Sequence, residues 1–163
     1  MRVLLIAGAS LILSGSVRSA ESPNDALEQI RALLPSQSHA MMDVEYNFAN
    51  LWFAGRAGNW PLATFYLNES RSHVQWTVRL RPVRKLASGQ DLDLMPLLDA
   101  FEHAGVDAVR ATLDHKDSKA FQVAYRSALG QCLACHVAAE KPFLRPDVPR
   151  EPASKLIRMQ PAP

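Results

Sequence analysis

The tetrapeptide Gly58-Asn59-Trp60-Pro61 limits the folds open to this chain more than any other feature. It separates two stretches of helical periodicity, and its residues are those that end one helix and start another. Glycine tolerates the left-handed backbone just past a helix end, and asparagine caps the N-terminus that follows. Proline suits a first turn, where a missing N–H costs nothing. A turn this short makes the flanking helices antiparallel neighbours. The first should run from about Ser36 to Ala57, with Met41, Val44, Phe48, Leu51 and Trp52 on one face. The second should continue to about Arg81, where Pro82 stops it.

The same punctuation recurs downstream. A polar loop passes through Ser88-Gly89-Gln90. A third helix is expected over roughly Leu94 to Leu113, starting at Met95 so that Pro96 falls in its first turn. Its apolar stripe reads Leu94, Leu97, Leu98, Phe101, Ala108 and Thr112. Asp114-His115-Lys116-Asp117 makes the next turn with Asp117 as a cap, and a fourth helix covers Ser118 to Ala139. A shorter amphipathic piece, Asn24 to Leu34, is halted by Pro35. β-Branched residues are scarce and no strand-like alternation runs for long. Four helices of about 20 residues, each ~30 Å long, predict an all-α fold, an antiparallel four-helix bundle. A chain of 163 residues suits one such domain.

Both termini differ from the middle. Arg2, an apolar run from Val3 to Leu13 and small residues at Ser16 and Ser19-Ala20 follow the order of a secretory signal peptide. The apolar run is too short to span ~30 Å of hydrocarbon, and no cysteine near the cleavage region offers a lipid anchor. The expected organisation is therefore a leader over 1–20, a helical domain over 21–140 and a proline-rich tail over 141–163. Export to the periplasm follows, with no membrane span after cleavage. Of the residues from Pro142 to Pro163, six are proline, so the tail should drape over the surface or lack order. Without Arg2 and Arg18 the remainder carries 16 basic and 16 acidic residues, which gives no footing for nucleic acid.

Cys132-Leu133-Ala134-Cys135-His136 is the one strong motif, and it holds both cysteines of the chain. Cys-x-x-Cys-His is the attachment pattern for haem c. Two thiols must reach two vinyl groups of one porphyrin while the next residue offers an imidazole to the iron. On a helix, 132, 135 and 136 are i, i+3 and i+4, so all three leave one face, which continues the stripe Phe121, Ala124, Tyr125, Ala128. A thioredoxin-like redox pair would open a helix after a strand, whereas this motif closes one. A structural zinc site would need a fourth ligand, and only isolated histidines remain. His136 is thus the axial ligand, and one covalent haem is the expected cofactor.

The sixth iron ligand is a matter of topology. The start of the first bundle helix should lie beside the end of the fourth, which brings Met41, Met42 and His39 near the motif. Met41 shares the face of Val44, Phe48 and Trp52 and is the leading candidate; Met42 and His39 are the fallbacks, and an open position is the remaining case. His73, His103 and His115 read as solvated, and Arg56 and Arg71 are candidate propionate partners. No nucleophile–base pair, phosphate loop or distal acid–base pair can be placed, so the chain does not read as an enzyme.

On these residues the chain resembles the class II c-type cytochromes, the four-helix-bundle group that includes cytochrome c prime. The likeness spans about Ser36 to Ala139 and rests on Cys132 to His136 late in the last helix, with a distal candidate near the start of the first. It implies a periplasmic bacterial protein, often a homodimer through its first two helices, while an exposed haem edge near the motif is where redox partner proteins are expected to dock. It also implies a choice between methionine-ligated electron carriers and open-iron proteins that bind nitric oxide or carbon monoxide. Cytochrome c prime places an aromatic and a basic residue three and four positions after the histidine, where this chain has Ala139 and Glu140. Electron transfer is therefore the leading expectation and gas binding the second.

Overall fold

The helices begin where a nearby side chain can take up free N–H groups, and the sequence marks most of those points. The structure is a computed structural model that describes residues 22–162, so the expected leader lies outside the described residues. The chain divides into two units, Met1–Leu34 and Pro35–Pro163. In the first, α1 (Pro23–Leu33) starts from a reciprocal cap between Ser22 and Asp25 and buries none of its residues.

In the second unit, α2 (Gln37–Arg56) starts at Ser36, whose Oγ accepts the His39 N–H at 3.1 Å. Next, α3 (Trp60–Leu80) is capped by Asn59 with Pro61 in its first turn. A rod over residues 95–114 follows, built from α4 (Met95–Ala100), a π turn (Phe101–Val106) and α5 (Asp107–Asp114). The last helix, α6 (Ser118–Ala138), is capped by Asp117, which accepts from Lys119 and Ala120 N–H. Each such cap contributes about 1 kcal/mol. The helix α2 ends with Gly58 at φ 72°, where Asn59 N–H reaches back to the Ala54 carbonyl. The ends of α5 and α6 use the same closure with Lys116 (φ 54°) and Glu140 (φ 57°) in the left-handed position.

These helices form an all-α, multi-helix bundle: α2 packs on α3, the 95–114 rod packs on α3 and α6, and α6 returns to α2. Its core joins Phe48, Leu51 and Trp52 of α2 with Tyr66 and Leu67 of α3, Val106 and Val109 of the rod, and Phe121 and Tyr125 of α6. No helix among the described residues is long and apolar enough to cross a membrane.

Three expectations change. The stripe of the third helix holds through Phe101, then moves: Gly105, Val106, Val109 and Leu113 are buried, while Ala108 is exposed and Thr112 only half-buried. The π turn adds one residue to a turn and advances the inward face by one position. Second, the polar loop is the tip of a two-stranded hairpin, β1 (Val83–Lys85) and β2 (Asp91–Asp93), paired antiparallel with Arg84 opposite Leu92. Gly89 at φ 86° supplies the left-handed residue its short turn requires. Third, the two courses expected of the tail narrow to one: it is non-helical, as its prolines demand, and packs along α2. Ser154 N–H donates to Asn50 Oδ1 at 2.9 Å, Met159 enters the core, and Asn59 Nδ2 donates to the Gln160 carbonyl.

Candidate functional site

The pairing of α2 with α6 sets the position of the Cys132–His136 motif. Phe48 and Tyr125 stack at 4.7 Å between centroids, and the Tyr125 hydroxyl donates to the Phe48 carbonyl at 2.9 Å. Further along α2 but earlier on α6, Trp52 and Gly55 meet Phe121. The two helices therefore run in opposite directions. Seven residues, about 10 Å at 1.5 Å each, separate Phe48 from Met41 and Tyr125 from Cys132 in the same direction along the pair. On straight, antiparallel axes this count puts Met41 level with Cys132 and Gln37 level with His136.

Within the motif, Cys132 packs against the aromatic core, as its place in the stripe requires. Cys135 and His136 are half-buried, and both thiols are free. Burial pushes the Cys132 thiol up to about 12, and the neighbouring Cys135 adds to the rise. Burial also raises the Cys135 thiol, outweighing the opposing pull of the Arg84 guanidinium. Thiols held neutral at the last turns of a helix are the reverse of what a disulfide oxidoreductase needs, a depressed thiolate at a helix start. Among the described residues no three His, Cys, Asp or Glu side chains converge on a point where they could hold a bare metal ion.

His136 has a partner that sequence reasoning missed. After α6 closes, the Lys141 N–H bonds the His136 carbonyl at 2.8 Å and the Leu144 N–H bonds the Lys141 carbonyl at 3.0 Å. This reversal brings the Leu144 carbonyl to 2.7 Å from His136 Nδ1. A carbonyl only accepts, so Nδ1 carries a proton, and in the neutral ring Nε2 is the nitrogen with the lone pair. That is the tautomer a metal-binding imidazole requires, fixed from its far side. Lys141-Pro142 after the helix end hinted at a turn, but nothing local showed that it would fold back onto His136.

The distal candidates separate by exposure. His39 is exposed, and Met42 is 61% exposed on the side of α2 that the tail covers, in a shallow groove with Tyr46, Ala49, Pro149 and Pro152. Met41 is half-buried, while Ala40 is the buried member of that turn. The arginines considered for propionates lie elsewhere: Arg56 sits over the Trp52 ring, and Arg71 pairs with Glu102 at 3.3 Å. His73 lies between Asp43 and Glu69, His103 between Asp99 and Asp107, and His115 Nδ1 meets the Ala111 carbonyl. The donor set of Cys132, Cys135 and His136 fits a covalently attached porphyrin: two free thiols and one imidazole nitrogen on a single helical face, with the other nitrogen occupied. No protein-family model, curated protein or solved structure matches the chain.

Proposed function

We propose that the protein is an exported mono-haem c-type cytochrome that carries electrons. Cys132 and Cys135 would hold haem c through thioethers, and His136 Nε2 would coordinate its iron. The reading takes the fold as an antiparallel four-helix bundle with the haem near the C-terminal end of α6. The observation that carries it is the Leu144 carbonyl on His136 Nδ1, at 2.7 Å, behind a Cys-x-x-Cys-His face. His115 Nδ1 meets a carbonyl at the same distance, so the bond takes its weight from the Cys-x-x-Cys-His face it stands behind.

When bound, the haem supplies an iron that cycles between ferric and ferrous states. The protein's own task is to hold that iron still, so that little reorganises as charge moves. The bond from Leu144 restrains the His136 ring and raises its basicity. The aromatic core beneath Cys132 excludes water from one side. Met41, level with Cys132, is the candidate sixth ligand, and a thioether there would raise the potential above that of a second histidine. Redox partner proteins would dock at the exposed edge near Cys135, in the periplasm. A homodimer remains part of the proposal, and the part of α2 left uncovered by the tail is where it would form.

One observation favours a second reading, a five-coordinate haem that binds nitric oxide or carbon monoxide. Ala40, not Met41, is the buried side chain of the distal turn, and a small residue there leaves room above an iron. Optical spectra of the oxidised and reduced holoprotein, with and without carbon monoxide, decide between them. The electron-carrier reading expects a low-spin spectrum indifferent to carbon monoxide, turned high-spin by Met41→Ala. A wild-type spectrum that is already high-spin and shifts with carbon monoxide would replace it with gas binding.

A further inference from the structure

We infer that Arg84 is the residue that binds a carboxylate of the attached porphyrin, one of its propionates. The inference rests on the haem reading and gives the cofactor's polar edge a place in the fold.

Arg84 is the middle residue of β1, opposite Leu92 of β2. Strand alternation turns both inward, while Lys85 next door points outward to Asp91 at 2.9 Å. Leu92 settles against Val78, Leu94 and Leu98, and Arg84 comes in beside the start of α2. There its Nη1 donates to Gln37 Oε1 at 2.7 Å. Gln37 is itself held, because its Nε2 donates to the Arg81 carbonyl at 3.1 Å. The guanidinium is thus clamped by an amide that has no freedom to follow it elsewhere.

What the clamp leaves is an unused donor and an uncompensated charge. Arg84 Nε is buried without a hydrogen-bond partner. None of the ion pairs among the described residues involves Arg84. Arg84 is half-buried, and its guanidinium stays charged at any working pH, so an anion is the partner its free Nε–H would favour. The hairpin that carries Arg84 reaches the motif end of α6, because Ser88 N–H at its tip donates to the Glu140 carboxylate at 3.0 Å, four residues past His136. A porphyrin joined at Cys132 and Cys135 would bring two carboxylates into this neighbourhood, and a carboxylate is the partner for which a guanidinium fork is shaped.

The test uses the full-length protein exported together with a haem-attachment machinery. Wild-type protein without covalent haem would remove the haem reading and this inference together. With haem in place, Arg84→Gln and Arg84→Lys are compared by redox titration and by the propionate bending band in resonance Raman spectra. Loss of a positive charge near the iron should disfavour the ferrous form. Arg84→Gln should therefore raise the ferric-to-ferrous ratio at fixed solution potential by roughly threefold to tenfold, with a shifted propionate band. Arg84→Lys keeps the charge and loses the fork, so the band should move while the ratio stays within about twofold of wild type. A haem-loaded Arg84→Gln protein with wild-type ratio and band would overturn the assignment and leave the haem reading intact. Should Arg84→Gln not fold, an unmoved band in Arg84→Lys would do the same.

Discussion

The two ends of the α2–α6 pair are made from different material. At one end Phe48, Trp52, Phe121 and Tyr125 interlock, Gly55 lets the helices close on the Phe121 ring, and the Tyr125 hydroxyl satisfies a buried carbonyl. At the other end α6 carries Cys132, Cys135 and His136, the start of α2 carries Gln37 and Met41, Arg84 bonds Gln37 from the hairpin, and the Leu144 carbonyl meets His136 from the tail. The first end uses nearly all its interactions internally, with Asn50 Nδ2 left buried and unpartnered. The second keeps several in reserve: two neutral thiols, one imidazole lone pair and one guanidinium N–H. On the proposed haem reading, stability and binding fall at opposite ends of one helix pair.

If the division is real, the aromatic end can be damaged without touching the haem signature. Phe121→Ala should lower stability by about 3–5 kcal/mol, the usual cost of emptying a fully buried aromatic site. Thermal unfolding of the holoprotein measures the loss, and its optical spectrum below the transition should match wild type. An altered spectrum in the folded variant would show that the ends are one unit. Gly55→Ala is subtler. The added methyl favours a helix by up to about 1 kcal/mol but overlaps the Phe121 ring, so the net effect should be a loss of about 1–3 kcal/mol. A stabilised Gly55→Ala protein would mean that α2 and α6 can part there freely.

The smallest effect concerns Glu102, which joins the π turn to α3. Burial alone would raise its carboxyl, but bonds from Gln75 and Arg71 and the charge of Arg71 more than offset this and hold it below the ordinary range. A carboxylate lowered in the folded state contributes stability that is present above its unfolded value of about 4.3 and lost as pH falls through the folded value. Arg71 is half exposed, so the contribution is under about 1 kcal/mol. Glu102→Gln should flatten the acid limb of the stability profile below about pH 4 and leave the motif end unchanged. An identical acid limb in both proteins would count against the pair.

The same contrast governs what could be read in advance. The aromatic end and the helix limits were legible because their causes are local: Ser36, Asn59, Pro61 and Asp117 act within one turn, and Phe121, Tyr125 and Ala128 repeat at helical spacing. The π turn was not, since Phe101 to Val106 contains nothing that forbids ordinary helix, and only packing reveals the extra residue. The hairpin was missed because three-residue strands give too little alternation to register. At the motif, Cys132, Cys135 and His136 announced themselves by spacing. Arg84 and Leu144 did not, because they arrive from segments remote in sequence or past a reversal of the chain. The tail's prolines excluded helix but said nothing of Asn50, whose Oδ1 receives Ser154.

The most direct test of the central claim is covalent haem itself. Full-length protein exported with a haem-attachment machinery is denatured, run on a gel and stained for haem, beside a variant carrying Cys132→Ser and Cys135→Ser. The account predicts haem migrating with the wild-type polypeptide and none with the variant. A wild-type band without haem, or a variant band that keeps it, would contradict the account.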